Sequence, residues 1–108
     1  MKYVLLSLLM TTFSIFGLNA HTVGGYTILE VDDVEAVNAA NFAMKVQQDF
    51  LRKDDEDANV SLVEIMGAEK QVVAGVNYRM RVRVNVNGND RIADIVVWKK
   101  LDDNYELS

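Results

Sequence analysis

One segment of the chain alternates apolar and polar residues without a break, and it constrains the fold more than any other feature. The apolar positions are Val76, Tyr78, Met80, Val82, Val84 and Val86, and the polar positions between them are Asn77, Arg79, Arg81, Arg83 and Asn85. A period of two is that of a β-strand with one buried face. Asn87-Gly88 follows at once, and this dipeptide is typical of a two-residue hairpin turn. The segment therefore predicts a strand that turns back into an antiparallel partner.

The flanking segments add further strands and one helix. Strand-like apolar runs lie at 26–31, 60–70 and 91–99, with a last short strand at 105–108 and a bulge at Gly67. The helix is predicted to follow Asp32, which can cap it, because Glu35 stands three positions later at the capping-box spacing. Its apolar face comprises Ala39, Phe42, Ala43, Val46 and Phe50. We therefore predict a two-layer α+β domain with one helix packed on an antiparallel sheet of four to five strands.

The composition argues against several classes of function. The absence of Cys excludes disulfides, thiolate metal sites and a cysteine nucleophile, and a single His makes Ser-His-Asp chemistry a poor fit. A formal net charge of −5 argues against nucleic acid as a partner, since phosphate binding needs a basic surface. The acidic run at 54–57 lacks the glycine and the spaced carboxylates of a calcium loop. We expect no enzymatic activity, no cofactor and no metal.

The first 20 residues are typical of a secretory signal peptide. Lys2 supplies the basic start, an apolar stretch runs to Leu18, and Ala20 is a small residue at the cleavage point. The alternative is a transmembrane helix, but serines and threonines interrupt the stretch, and its length of about 18 residues is near the lower limit for a span. We expect cleavage after Ala20, so that residues 21–108 form a secreted domain that does not contact the membrane.

Three arginines share the polar face of the alternating strand: Arg79, Arg81 and Arg83. One interpretation is an anion-binding stripe. The other is that they face solvent and pair across the sheet with acids such as Glu64, Glu69 and Asp94, at a few tenths of a kcal/mol for each pair. We favour the second interpretation.

The segment Gln71-Val72-Val73-Ala74-Gly75 is apolar where a hairpin tip is expected. Tips are usually polar, so these side chains either pack on their own domain or bind a partner.

The segment at 71–75 has the form Gln-x-Val-x-Gly and resembles the central motif of the cystatins, protein inhibitors of papain-like cysteine peptidases. Val23-Gly24-Gly25 stands before the helix, where that family has a glycine arm. The Ala-x-x-Phe-Ala pattern at 39–43 strengthens the resemblance, which covers nearly all of residues 21–108.

The resemblance implies a helix cradled by a strongly curved antiparallel sheet, and reversible, competitive, non-covalent inhibition of cathepsin-type peptidases. By likeness, Gly24 lets the arm bend and Val23 fills the non-primed subsite nearest the catalytic centre. The implied peptidase-binding residues are Val23, Gly24 and Gly25 of the arm, Gln71, Val72, Val73, Ala74 and Gly75 of the first hairpin, and Leu101 and Asp102 of a second hairpin. A non-inhibitory binding module with the same fold is the alternative function.

The second hairpin departs from the family, which usually carries Pro-Trp there, whereas this chain has no Pro. In one alignment Leu101-Asp102 takes the Pro-Trp positions and Trp98 is a strand residue. In the other, Val97-Trp98 is the pair that enters the peptidase. We prefer the first alignment and expect weaker affinity or selectivity for particular peptidases. A signal peptide combined with the absence of disulfides does not decide the subfamily. We expect the protein to be a monomer, and the alternative is a domain-swapped dimer formed by exchange of a hairpin.

Overall fold

The computed structural model describes residues 25–108, so the predictions for the signal peptide, Val23 and Gly24 lie outside the described residues. In chain order the elements are β1 (Thr27–Leu29), α1 (Val34–Leu51), β2 (Val60–Val73), β3 (Gly75–Val86), β4 (Asn89–Lys99) and β5 (Tyr105–Leu107). All five strands are antiparallel neighbours in a single sheet with the order β1-β2-β3-β4-β5. The predicted α+β architecture of one helix on an antiparallel sheet is confirmed.

The helix begins after Asp33, and the prediction that Asp32 caps it is wrong. Asp33 Oδ2 accepts a hydrogen bond from the Ala36 amide at 3.1 Å. A turn in which the Asp33 amide donates to the Glu30 carbonyl, at 3.1 Å, places Asp33 rather than Asp32 at the cap. Glu35 makes bonds to the second hairpin instead of closing a capping box.

The core lies between the alanine-rich face of α1 and one face of the sheet. The buried residues of α1 are Ala36, Ala39, Ala40, Ala43 and Met44. Phe42 and Val46 pack at the border of the core, and Phe50 is half-buried. The sheet contributes buried side chains from the alternating strand and from β4, namely Tyr78, Met80, Val82, Val84, Ile95 and Val97. Because most of the buried helix residues are alanines, α1 can lie close to the sheet. The larger apolar side chains of the core therefore come mainly from the strands.

Two irregularities bend β2. Its register against β3 shifts between Leu62 and Glu64 and again between Ile65 and Gly67, so Val63 and Met66 are the extra residues. Each bulge bends a strand and increases its twist. The prediction of a bulge at Gly67 is confirmed by the second shift, and the sequence did not reveal the first. Two bulges so close together therefore bend and twist β2 in its first half.

The turn between β3 and β4 has the predicted form. Asn87 and Gly88 have φ angles of 52° and 91°, the left-handed values that a two-residue hairpin turn requires. The Asn87 side chain also accepts a hydrogen bond from the Asn59 amide at 2.9 Å. This turn lies at the end of β3 opposite Gly75.

Candidate functional site

Three separate segments meet at one end of the sheet. One row of paired residues crosses all five strands, from Thr27 through Lys70, Tyr78 and Val97 to Leu107. Just beyond this row lie Gly25, the loop at 71–75 and the loop at 100–104. We call these two loops the first loop and the second loop, and we call this end of the sheet the loop edge. The structure thus brings together all the implied binding residues that it describes.

The first loop presents its apolar side chains to solvent. Val72 is 70% exposed and Val73 is 42% exposed. The strand ladder continues to the tip, with Val72 paired to Val76 and Val73 paired to Gly75. Of the two explanations for an apolar tip, packing on its own domain is therefore wrong for both valines, and the loop holds them outward on a preformed hairpin.

Gly75 closes the first loop where β4 approaches most closely. Its φ of 95° lies in the left-handed region that favours glycine. A Cβ at this position would collide with the Lys99 carbonyl oxygen and lie 3.1 Å from Lys100 Cα. Gly75 is thus required both by its backbone conformation and by the contact with the end of β4.

Trp98 braces the first loop from the neighbouring strand. Its indole Nε1 donates a hydrogen bond to the Ala74 carbonyl at 2.8 Å. On the other side of the loop, Asn77 Nδ2 donates to Gln71 Oε1 at 3.3 Å. The sequence predicts no role for Trp98 in the first loop, because the two residues of this bond are 24 positions apart.

The second loop carries Leu101 and Asp102, and Trp98 lies within β4, paired with Glu106 of β5. This is the arrangement of the preferred alignment. Leu101 is 80% exposed. Asp102 Oδ1 accepts from the Asn104 amide at 3.0 Å, and this backbone hydrogen bond lowers the pKa of Asp102. The second loop therefore presents the apolar side chain of Leu101 beside a carboxylate whose ionised form is favoured.

The base of the second loop is tied to the start of α1. Lys99 Nζ donates to Glu35 Oε1 at 2.9 Å, and the Tyr105 hydroxyl donates to the same oxygen at 3.1 Å. Both bonds lower the pKa of Glu35, the Lys99 bond most, and the same contact raises the pKa of Lys99. The Tyr105 ring also packs on Phe42, with centroids 5.4 Å apart. The second loop thus emerges from a fixed base.

The arginine stripe forms the predicted pairs, and these are confirmed. Arg79 pairs with Glu69, Arg81 pairs with Asp94 at 2.9 Å, and Arg83 pairs with Glu64 at 3.0 Å.

The prediction that the stripe faces solvent is wrong at its first member, since Arg79 is 2% exposed. The Tyr26 ring covers this guanidinium, which the strand alternation could not reveal. Asp94 is also buried, and this burial raises its pKa against the opposing effect of Arg81. Paired and partly covered, the stripe is poorly suited to hold an anion.

Within residues 25–108, no group of three or more His, Asp or Glu side chains is placed to hold a metal ion. The same part of the chain contains no helix that is long and apolar enough to cross a membrane.

Comparison with known proteins yields a family and a fold. A family model described as the cystatin domain matches residues 24–105, a range that includes both loops. The crystal structure of Al-CPI is similar with a TM-score of 0.63, covering 79% of this chain and 94% of that chain at 19% sequence identity. No curated protein has a sequence that matches this one. The likeness to Al-CPI shows a shared fold, and the family match spans most of the described chain.

Proposed function

The chain belongs to the cystatin family, and we propose that it inhibits papain-like cysteine peptidases of the cathepsin type by inserting its loop edge into their active-site cleft. Membership of this family supports the role of a cysteine protease inhibitor rather than an enzyme. The observation that carries the proposal is the first loop, where exposed Val72 and Val73 are held outward between the Trp98 brace and the Gln71–Asn77 bond.

The first loop supplies the main binding surface. Burying apolar area in a concave slot contributes about 25 cal/mol per Å². A preformed hairpin loses little conformational entropy on binding, so more of this gain remains as affinity. The side chains of Val72, Val73 and Ala74 carry no electrophile, and in the proposal the loop presents no peptide bond in a position to be cut. We therefore propose that inhibition is reversible, competitive and non-covalent, with the three residues lying over the catalytic cysteine and histidine.

The glycine arm makes the second contact. Gly25 lies at the loop edge, and Val23 and Gly24 precede it in the sequence. In the proposal, Gly24 lets the arm bend and Val23 fills the non-primed subsite nearest the catalytic centre. Because ordering a glycine-containing segment on binding has an entropic cost, this contact slows dissociation more than it speeds association.

The second loop makes the third contact and tunes selectivity. Leu101 and Asp102 replace the Pro-Trp pair that is usual in the family, and loss of a buried interface tryptophan costs about 2 kcal/mol or more. A carboxylate with a lowered pKa beside exposed Leu101 disfavours an acidic cleft wall. We therefore expect weaker affinity than in members with Pro-Trp, or selectivity for peptidases whose cleft is basic where the second loop binds.

The deciding experiment is a titration of papain, with a fluorogenic peptide substrate, by purified residues 21–108. Nanomolar competitive inhibition would support the proposal and show that Leu101 and Asp102 are adequate substitutes for Pro-Trp. Absence of inhibition at micromolar protein, with a folded circular dichroism spectrum, would contradict it. The result would then favour the alternative of a non-inhibitory binding module on the same fold.

We further propose that residues 1–20 are removed on secretion and that the mature domain is a monomer. The basic start at Lys2, the apolar stretch to Leu18 and the small Ala20 support removal. Expression in secreting eukaryotic cells should release a chain whose N-terminal sequence starts at His21. A protein that stays with the membrane fraction would contradict this. Size-exclusion chromatography of the released protein distinguishes a monomer from a domain-swapped dimer.

A further inference from the structure

The root of the glycine arm is held by an aromatic stack. Tyr26 directly follows Gly25, and its ring lies over the guanidinium of Arg79, with Cζ 3.7 Å from the ring centroid. The β1 ladder begins at the next residue, where Thr27 pairs with Lys70. Tyr26 is therefore the side chain that attaches the chain to the sheet just after the two glycines.

Arg79 is a rigid platform for this ring. It is almost fully buried, and its Nε donates to Glu69 Oε1 at 3.1 Å. Glu69 is itself buried and stands directly opposite Arg79 across the β2–β3 ladder. A guanidinium fixed by a carboxylate and shielded from water has little freedom to move, and cation–π attraction is strongest in such desolvated settings. The position of the Tyr26 ring is thus set by the centre of the sheet.

The strand that follows is a weak attachment by itself. β1 has three residues and lies at the edge of the sheet, and its central residue Ile28 is largely exposed. The residue on the other side of Tyr26 is Gly25, and a glycine restricts the backbone less than any other residue. The Tyr26 stack therefore adds to the short β1 ladder a side-chain constraint on where the arm leaves the sheet.

We propose that Tyr26, stacked on Arg79, is a positioning residue that fixes the root of the arm beside the first loop. This inference rests on the proposed function. With the root fixed, less entropy is lost when Val23 binds the cleft that Val72 and Val73 enter. Without the ring, the root at Tyr26 is less constrained, and the contribution of the arm to slow dissociation is reduced.

Inhibition kinetics test this by comparing Tyr26→Ala and Tyr26→Phe in the full mature chain and in a chain that begins at Gly25. In the full chain, Tyr26→Ala should raise the rate of dissociation from papain about tenfold, whereas Tyr26→Phe, which keeps the ring, should stay near the wild type. In the chain without residues 21–24, Tyr26→Ala should have no further effect. An equal effect with and without the arm would overturn the proposal, because it would mean that Tyr26 acts on the fold or touches the peptidase directly. An unchanged rate in the full chain would also overturn it.

A second measurement does not depend on inhibition. The protein has no Cys, so Thr22→Cys offers one attachment point for a maleimide fluorophore. The fluorescence anisotropy of this probe should fall in Tyr26→Ala and be retained in Tyr26→Phe. A fall with inhibition absent in all chains would support the anchor and contradict the proposed function. Equal anisotropy in the three chains would overturn the anchor whatever the inhibition.

Discussion

Trp98 and Ala74 are joined by a hydrogen bond in which the indole Nε1 donates to the carbonyl oxygen at 2.8 Å, linking the end of β4 to the tip of the first loop. The next two residues of the chain, Lys99 and Lys100, pack against the position where Gly75 has no side chain. The second loop starts at Lys100, so the two loops share one support. Any movement of β4 at this end therefore displaces both binding loops together.

Trp98→Phe tests the hydrogen bond while keeping an aromatic ring. A bond of this kind contributes about 1 kcal/mol, which corresponds to roughly a five- to tenfold change in an equilibrium constant. We expect papain inhibition to weaken by that factor, mainly through faster dissociation, because the free loop loses its brace. Stopped-flow kinetics and circular dichroism of both proteins check the prediction. Equal dissociation rates would show that the first loop keeps its shape without the bond.

Val72→Asp tests the apolar tip of the first loop. A charge at the centre of the apolar contact must lose its hydration on binding, so we expect inhibition to weaken at least 100-fold, about 3 kcal/mol. The thermal midpoint should hardly change, because Val72 is exposed in the free protein. Val63→Asp is the matched control, since Val63 is 50% exposed and lies in the part of β2 remote from the loop edge. Comparable loss of inhibition in both variants would contradict the proposed binding surface.

Gly75→Ala and Gly88→Ala separate steric contact from backbone strain. The two glycines have φ angles of 95° and 91°, so both substitutions impose a similar conformational penalty of about 1–3 kcal/mol. A Cβ at Gly88 would have no atom within 4 Å, whereas one at Gly75 would collide with the backbone of Lys99. We expect urea denaturation to show a clearly larger loss of stability for Gly75→Ala. Equal losses would mean that the contact between position 75 and the Lys99 backbone does not affect the free energy of unfolding.

Glu35 predicts a dependence of stability on pH. Its pKa is lowered from 4.5 by the bonds from Lys99 and Tyr105, so in this acidic range the unfolded chain binds more protons than the folded one. The stabilisation that the ionised Glu35 contributes to the fold is thus fully present above about pH 4.5. It is lost as the pH falls through the lowered pKa of Glu35. Burial raises the pKa of Asp94, and this group acts in the opposite sense, since stability falls as pH rises through its range.

Glu35→Gln removes the Glu35 contribution. We expect this variant to be less stable than the wild type at neutral pH and to lose less stability as the solution is acidified. Urea midpoints between about pH 3 and pH 7 measure both effects. Asp49→Asn is the control, because it removes the carboxylate of an exposed Lys45–Asp49 pair on α1. Parallel midpoint curves for wild type and Glu35→Gln would contradict the prediction.

The sheet could be predicted from the sequence where its signals are local. The alternation at 76–86 sets the buried face of β3, and Asn87-Gly88 sets the turn and hence the pairing with β4. The partners of the three arginines follow from the same antiparallel order. The helix cap was missed by one residue because Asp32 and Asp33 satisfy the same local rule, and the preceding turn decides between them.

The supports of the candidate site could not be predicted, because they join distant parts of the chain. The family motif identified the first loop, but the Trp98 brace depends on the register of β4 against β3. The burial of Arg79 depends on Tyr26, which lies on the far side of α1 in sequence. Glu69 is among the acids that the sequence offers as partners of the arginines, yet strand pairing does not say which surface position a third residue will cover.

The Asn87-Gly88 turn lies at the opposite end of β3 from the first loop, and a strand of 12 residues spans up to roughly 40 Å. A side chain at Gly88 would have no atom within 4 Å. Material attached at this turn would therefore point away from a peptidase held at the loop edge. The turn is therefore a suitable attachment site. A surface tether, or a second copy joined through a linker, would leave the loop edge of each domain free to bind a peptidase.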